Sequence, residues 1–226
     1  MSRVFCSLFL FFFTLFSYAK GDVSYPTEIP DSEHVQRTLM QQLLAIPESQ
    51  RSQQQWRQLS LVSIALLSNA DSSLVKEAEV ILNQARAIYP QDAEIMAVQG
   101  SLFCIQAGSH SIDSMQAMTL ANKGFRQLDR AVLVAPEQLG PRLQRAITAS
   151  RAPTFLGKRP LARDDFAYLL SVVPAIPDTQ MLRAMLLYHL GELSQQDKDL
   201  ASSMWKQAAV LEGGVWSERA RVRMSP

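Results

Sequence analysis

With 226 residues, 47% of them apolar, the chain is long enough to bury a core of its own. Its 22 Lys and Arg against 21 Asp and Glu leave no excess positive charge to hold a phosphate backbone, so nucleic acid is not an expected partner. Two cysteines, Cys6 and Cys104, are too few for a disulfide framework, and stability must come from packing.

The chain opens "MSRVFCSLFLFFFTLFSYAKGD": one basic residue, Arg3, then an apolar run of about 13 residues, too short to span a bilayer comfortably but suited to a secretory signal. Ser17 and Ala19 offer small residues where a signal peptidase reads. Residues 1–19 are therefore expected to be a signal peptide, with Lys20 the mature amino terminus and the periplasm or cell exterior the destination. The alternative, an uncleaved anchor, is disfavoured by length. Cys6 lacks the preceding small residues of a lipoprotein signal, and no membrane span is expected after cleavage.

Residues 20–31, "KGDVSYPTEIPD", have two prolines and no periodicity and read as a flexible leader before a helical domain over 32–226. Asp31 or Ser32 can cap a first helix, with Val35, Leu39, Leu43 and Leu44 on one face until Pro47. A more deeply buried helix follows, carrying Trp56, Leu59, Val62, Ile64, Leu66 and Leu67. A third begins at a cap, Asp71 or Ser72. Nothing alternates with period two for long enough to suggest a strand, and the expected class is all-α.

From this third helix on, one pattern recurs. Ala78 to Pro90, Gly124 to Pro136 and Ala162 to Pro174 have the same length, and between the ends stand Leu82 and Ala85, Leu128 and Ala131, Phe166 and Leu169. A fourth copy runs Ala201, Trp205, Ala208, with Gly213 in place of the proline. A small residue beside a bulky one at helical spacing admits a close neighbour, and the proline or glycine turns the chain. Between Phe103 and Gly124 the chain is about a dozen residues longer than a usual repeat turn, with Gly108, Ser109, Ser111 and Ser114 suggesting a loop and then an early helix start. A shorter insert, "RAPTFLGKRP", follows Ser150.

The repeated half resembles the A-x3-F…P half of a tetratricopeptide repeat, a helix-turn-helix unit of roughly 34 residues. Met96, Gly100 and Phe103, then Arg142, Ala146 and Ala149, then Gln180, Ala184 and Leu187, stand at the corresponding positions of the first half. The resemblance covers roughly residues 52 to 213. It implies an α-solenoid of about four such pairs, with an extra helix in front and "WSERARVR" from Trp216 as a terminal capping helix. It also implies that partners bind on the concave face made by the first helix of each pair. Carried over by position, that face comprises Ala97 and Ser101, then Leu143, Ile147 and Arg151, then Met181, Met185, Tyr188 and His189. These side chains are either an adaptable apolar groove or core.

Chemistry is sparse. His34, His110 and His189 lie far apart with no metal-ligand spacing, and no nucleophile elbow, phosphate loop or dinucleotide fingerprint occurs. The "HLGE" stretch pairs His189 with Glu192 as a surface hydrogen bond, and Asp164 and Asp165 point to different sides of one helix. No metal, cofactor or catalytic residue is expected. The basic cluster Arg142, Arg145, Arg151, Lys158, Arg159 and Arg163 is either a rim for acidic residues of a partner or, the favoured reading, paired with Asp129, Glu137, Asp164 and Asp165. The composite expectation is an exported, non-catalytic scaffold or adaptor for a protein or peptide partner in an envelope complex. The alternative is a periplasmic holdase for hydrophobic segments.

Overall fold

Ten α-helices make up most of the computed structural model, which describes residues 23–69, 72–109 and 111–225. They are α1 (Glu33–Ala45), α2 (Gln53–Ala65), α3 (Ser72–Ile88), α4 (Ala93–Ala107), α5 (Ser114–Val134), α6 (Leu139–Arg151), α7 (Arg159–Val172), α8 (Gln180–Leu193), α9 (Lys198–Ala209) and α10 (Val215–Met224). Each packs on the next, and α2 with α4, α4 with α6 and α8 with α10 also touch, giving a repeat-like all-helical architecture. The expected signal peptide, the candidate cap Asp71 and His110 lie outside the described residues. No helix of the described residues is long and apolar enough to cross a membrane.

Local chemistry sets the helix starts. Ser52 accepts from the Gln55 amide while the Gln55 side chain accepts from the Ser52 amide, a capping box that starts α2 just before Trp56. Asp92 accepts from the amides of Glu94 and Ile95 at the head of α4, Asp113 caps α5 and Asp197 caps α9. Ser32 precedes α1 without a side-chain cap bond. The insertion between Phe103 and Gly124 is mostly helix: α5 starts ten residues ahead of Gly124, leaving Met115 and Met118 exposed.

The recurring small and large residues lie inside. Ala78, Leu82 and Ala85, Leu128 and Ala131, Ala162, Phe166 and Leu169, and Ala201 and Ala208 are all buried. Trp205 is half-buried, its indole laid over Gly191 of α8. Where α4 crosses α5, a Cβ on Gly124 would stand 2.5 Å from Cys104 Sγ and 2.6 Å from the Gly100 carbonyl oxygen, so only glycine permits this approach. At the last turn Gly214 takes φ +57, in the left-handed region, and Gly213 lies against Ala184 and Ser217, which seats α10 on α8.

Part of the segment read as a flexible leader is held against the helices, at Val23, Ser24 and Thr27. Val23 packs on the core around α4 to α8, the Ser24 amide donates to the Glu137 carbonyl (3.3 Å), and the Leu139 amide donates to the Ser24 carbonyl (2.9 Å). The Thr27 amide and hydroxyl both donate to the Glu94 carboxylate, at 2.8 and 2.7 Å. The Ser24–Gln138 contact is an isolated parallel bridge.

Candidate functional site

On α6, Ala146 and Ala149 turn inward and are fully buried, which aims Leu143, Ile147 and Arg151, each one helical turn from the last, along a different face. On α8, Ala184, Leu187 and Leu190 are buried, and Met181, Met185 and His189 form the matching stripe. The predicted residues divide between core and surface. Leu143 and Ile147 are half-buried against the main core, Tyr188 packs on the smaller core shared by α8, α9 and α10, and Met185 is half-buried. Met181 is 50% exposed and Arg151 is exposed. Ala97 and Ser101, expected on the same face, are buried. Ser101 hydroxyl lies 2.6 Å from that of Thr148 and accepts from Gln144 (2.8 Å), so this part of the α4–α6 face is filled.

The face ends in an aromatic cluster. His189 stacks on Phe166 of α7, ring centres 5.0 Å apart and nearly parallel, and meets Tyr188 at 5.6 Å and Trp216 of α10 at 5.1 Å. Arg219 lies over the Trp216 ring at 4.6 Å. Burial first, then the charges of Arg151 and Arg219, pushes the His189 imidazole down to about 4, so it is neutral at neutral pH. The Arg151 pKa is lowered by burial around its guanidinium and then by Arg219. His189 is thus not the surface partner of Glu192 expected from "HLGE"; Glu192 pairs with Arg223 of α10 at 2.8 Å.

The pairing favoured from the sequence holds for two of the six basic residues, Arg142 and Arg145, and among the described residues no ion pair joins the cluster to Glu137 or Asp164. Asp165, its side chain 2% exposed, accepts from Arg142 (2.9 Å) and Arg145 (2.7 Å), and Arg145 also reaches Asp129 (2.8 Å). Asp164 stays exposed, so the two adjacent carboxylates do face apart. Arg159 and Arg163 donate to the Glu192 and Leu193 carbonyls at the end of α8. Lys158 sits over the Phe125 ring at 4.5 Å.

No group of three or more metal-ligating side chains gathers among the described residues. Burial pushes the Cys104 thiol up to about 12, which disables it as a nucleophile. Two open cavities, of about 290 and 350 Å³, border Gln53, Arg57, Tyr89 and Asp92 in one case and Arg163, Leu170, Leu190 and Met204 in the other, away from the predicted face. The chain matches no known protein family, no curated protein and no solved structure. Its own geometry therefore carries the functional argument.

Sequence reasoning missed Arg219 and Phe166 as neighbours of His189. Arg219 carried a signal in standing three residues after Trp216, hence on the same helical face, but the rotation that turns this face toward α8 is set by packing.

Proposed function

We propose that the chain is an exported, non-catalytic interaction scaffold. In this reading its helix pairs form a tetratricopeptide-like array of about four units, preceded by α1 and closed by α10. A segment of a partner protein lies along α6 and α8 during assembly or maintenance of an envelope complex. The observation that carries the reading is the stripe Met181–Met185–His189. It begins with a methionine half in solvent, continues through one that belongs to no core cluster, and runs into an aromatic cluster flanked by arginines. Flexible thioethers beside rigid rings suit an apolar segment better than a small polar substrate.

Leu143 and Ile147 pack on the main core, and Met181 is the most accessible residue of the stripe. A photo-crosslinking residue at position 181 is expected to capture one discrete partner in intact cells, and the same residue at Leu133, exposed on α5, is not. Met181→Asp is expected to abolish capture from position 185 while leaving helicity and melting unchanged. Equal capture from 133 and 181 removes the reading, and indiscriminate capture of unfolded clients from 181 replaces it with the holdase.

A further inference from the structure

The stretch "RAPTFLGKRPLAR", from Arg151 to Arg163, carries Arg151, Lys158, Arg159 and Arg163 and no acid. Its turn between α6 and α7 is held in one shape. The Leu156 amide donates to the Pro153 carbonyl and the Gly157 amide to that of Thr154, both at 3.0 Å, which closes a one-turn 3-10 helix over Thr154–Leu156. Gly157 then takes φ +62, in the left-handed region that glycine adopts without strain. Just after the tip the turn is pinned to the body: Leu156 packs on the main core, and Lys158 lies over the Phe125 ring of α5 at 4.5 Å. Phe155, at the tip, is 78% exposed. A fixed turn thus holds a phenyl ring out in water within a cationic stretch.

The Lys158–Phe125 contact places this turn beside the front of α5, which begins at the end of the array where α6 finishes, since the chain reverses between the two helices. From Ser114 to Leu128, α5 carries Lys123 and Arg126 and no acid, and it exposes Met115 and Met118. Among the described residues no ion pair engages Lys123, Arg126, Arg151, Lys158, Arg159 or Arg163. The acids that flank these stretches do little to offset them. Asp113 accepts from the Gln116 amide as the cap of α5, Asp129 and Asp165 are taken by Arg142 and Arg145, and the exposed Asp164 offsets a single charge.

Apolar side chains that stand apart among unpaired cations do not make the continuous patch that a protein partner buries. They match the interface of an anionic bilayer, where rings and thioethers enter the boundary between headgroups and acyl chains while Lys and Arg stems reach back to the phosphates. No helix of the described residues can cross a membrane, so such a contact is peripheral. We propose that this end of the array, the Phe155 turn with the front of α5, rests on an anionic lipid surface, with Phe155 entering the bilayer interface and Lys158 and Arg159 meeting lipid phosphates. The contact is independent of the α6–α8 face.

The test uses protein beginning at Lys20, so that the apolar run ahead of Ser17 cannot itself enter lipid, and sedimentation with vesicles. One set is phosphatidylcholine alone and the other about one-third phosphatidylglycerol in phosphatidylcholine. Binding is expected on the second set only and is lost in high salt. It should fall about tenfold in Phe155→Ser, which gives up one buried ring, and about fivefold for each charge removed in Lys158→Gln/Arg159→Gln. Phe155→Trp should keep the binding and add an emission that shifts to the blue on anionic vesicles, read as the difference from the parent protein. Phe155 is exposed, so Phe155→Ser should melt with the parent.

Equal binding to both vesicle sets, or binding to neither, overturns the proposal. Binding that Phe155→Ser leaves unchanged, or an added indole whose emission does not move on vesicles that carry the protein, assigns the adsorption to another surface and overturns it too. A photo-crosslinking residue at position 155 that captures one protein and no lipid in intact cells makes the turn a protein contact, and again the proposal falls.

Discussion

Replacing Gly124 by alanine adds one methyl group at the tightest crossing of α4 and α5. Helix propensity favours the change by about 1 kcal/mol, since alanine loses less backbone freedom than glycine. Packing opposes it. The new Cβ would stand 2.5 Å from Cys104 Sγ and 2.6 Å from the Gly100 carbonyl oxygen, about 1 Å inside an ordinary contact of roughly 3.5 Å. The thiol can be removed, but the carbonyl belongs to a helix and cannot turn away, so the two helices must separate along a buried seam. Overpacking of this kind costs about 1–3 kcal/mol, which cancels or outweighs the propensity gain and leaves a net loss of up to about 2 kcal/mol. In a chain of this size that lowers the melting temperature by up to about 8 °C. Circular dichroism at 222 nm against temperature and urea reads it directly. Cys104→Ala in the Gly124→Ala background should recover only part of the loss. Gly108→Ala, where the nearest obstacle is the Ile105 carbonyl at 3.3 Å, should change little. A rise in melting temperature for Gly124→Ala, or full recovery on removing the thiol, would refute the claim that backbone approach sets this crossing.

Asp165→Asn leaves Arg142 and Arg145 without their shared carboxylate and is expected to cost on the order of 3 kcal/mol, read as a fall in the urea midpoint; an unchanged midpoint means the pair contributes nothing. For His189, with a folded value of about 4 against 6.5 when unfolded, the unfolded chain takes up a proton that the folded one refuses between those limits. Stability from this group is therefore intact above about pH 6.5 and falls by up to about 3 kcal/mol as pH drops toward 4. His189→Phe, which keeps a ring against Phe166, should flatten the urea midpoints across that range, and a curve merely offset from the parent's would contradict the assignment. Export predicts Lys20 as the amino terminus of protein recovered from the periplasm; full-length chain in the cytoplasm would contradict it.

The helices were legible where burial repeats at helical spacing. Ala78–Leu82–Ala85 and Ala162–Phe166–Leu169 could be placed inside from their order alone, because a small residue one turn from a bulky one specifies a close neighbour. The pairing of Arg142 and Arg145 with acids of flanking helices was also legible as charge complementarity, although the share taken by Asp165 alone was not. Two features left no periodic trace. The docking of residues 23–27 rests on main-chain bonds at Ser24 and on one threonine, neither of which a pattern of apolar residues reports. Ala97 and Ser101 were placed on the open face by register, but the distance between α4 and α6 closed it.

The docked segment also bears on how the molecule comes apart. Helices that touch mainly their sequence neighbours can peel from either end, each pair opening with little effect on pairs farther along. Here Ser24 is bonded at the head of α6 and Thr27 at the head of α4, so the amino-terminal end cannot peel without releasing the middle of the chain. Amides of α1 and α2 should then exchange with solvent at rates closer to those of α4 and α6 than to those of α10, which no such tie secures. Thr27→Val, which removes the hydroxyl bond to Glu94 and leaves the amide bonds of Thr27 and Ser24, should weaken the tie and speed exchange at the front of the protein while the α8–α10 end keeps its rate.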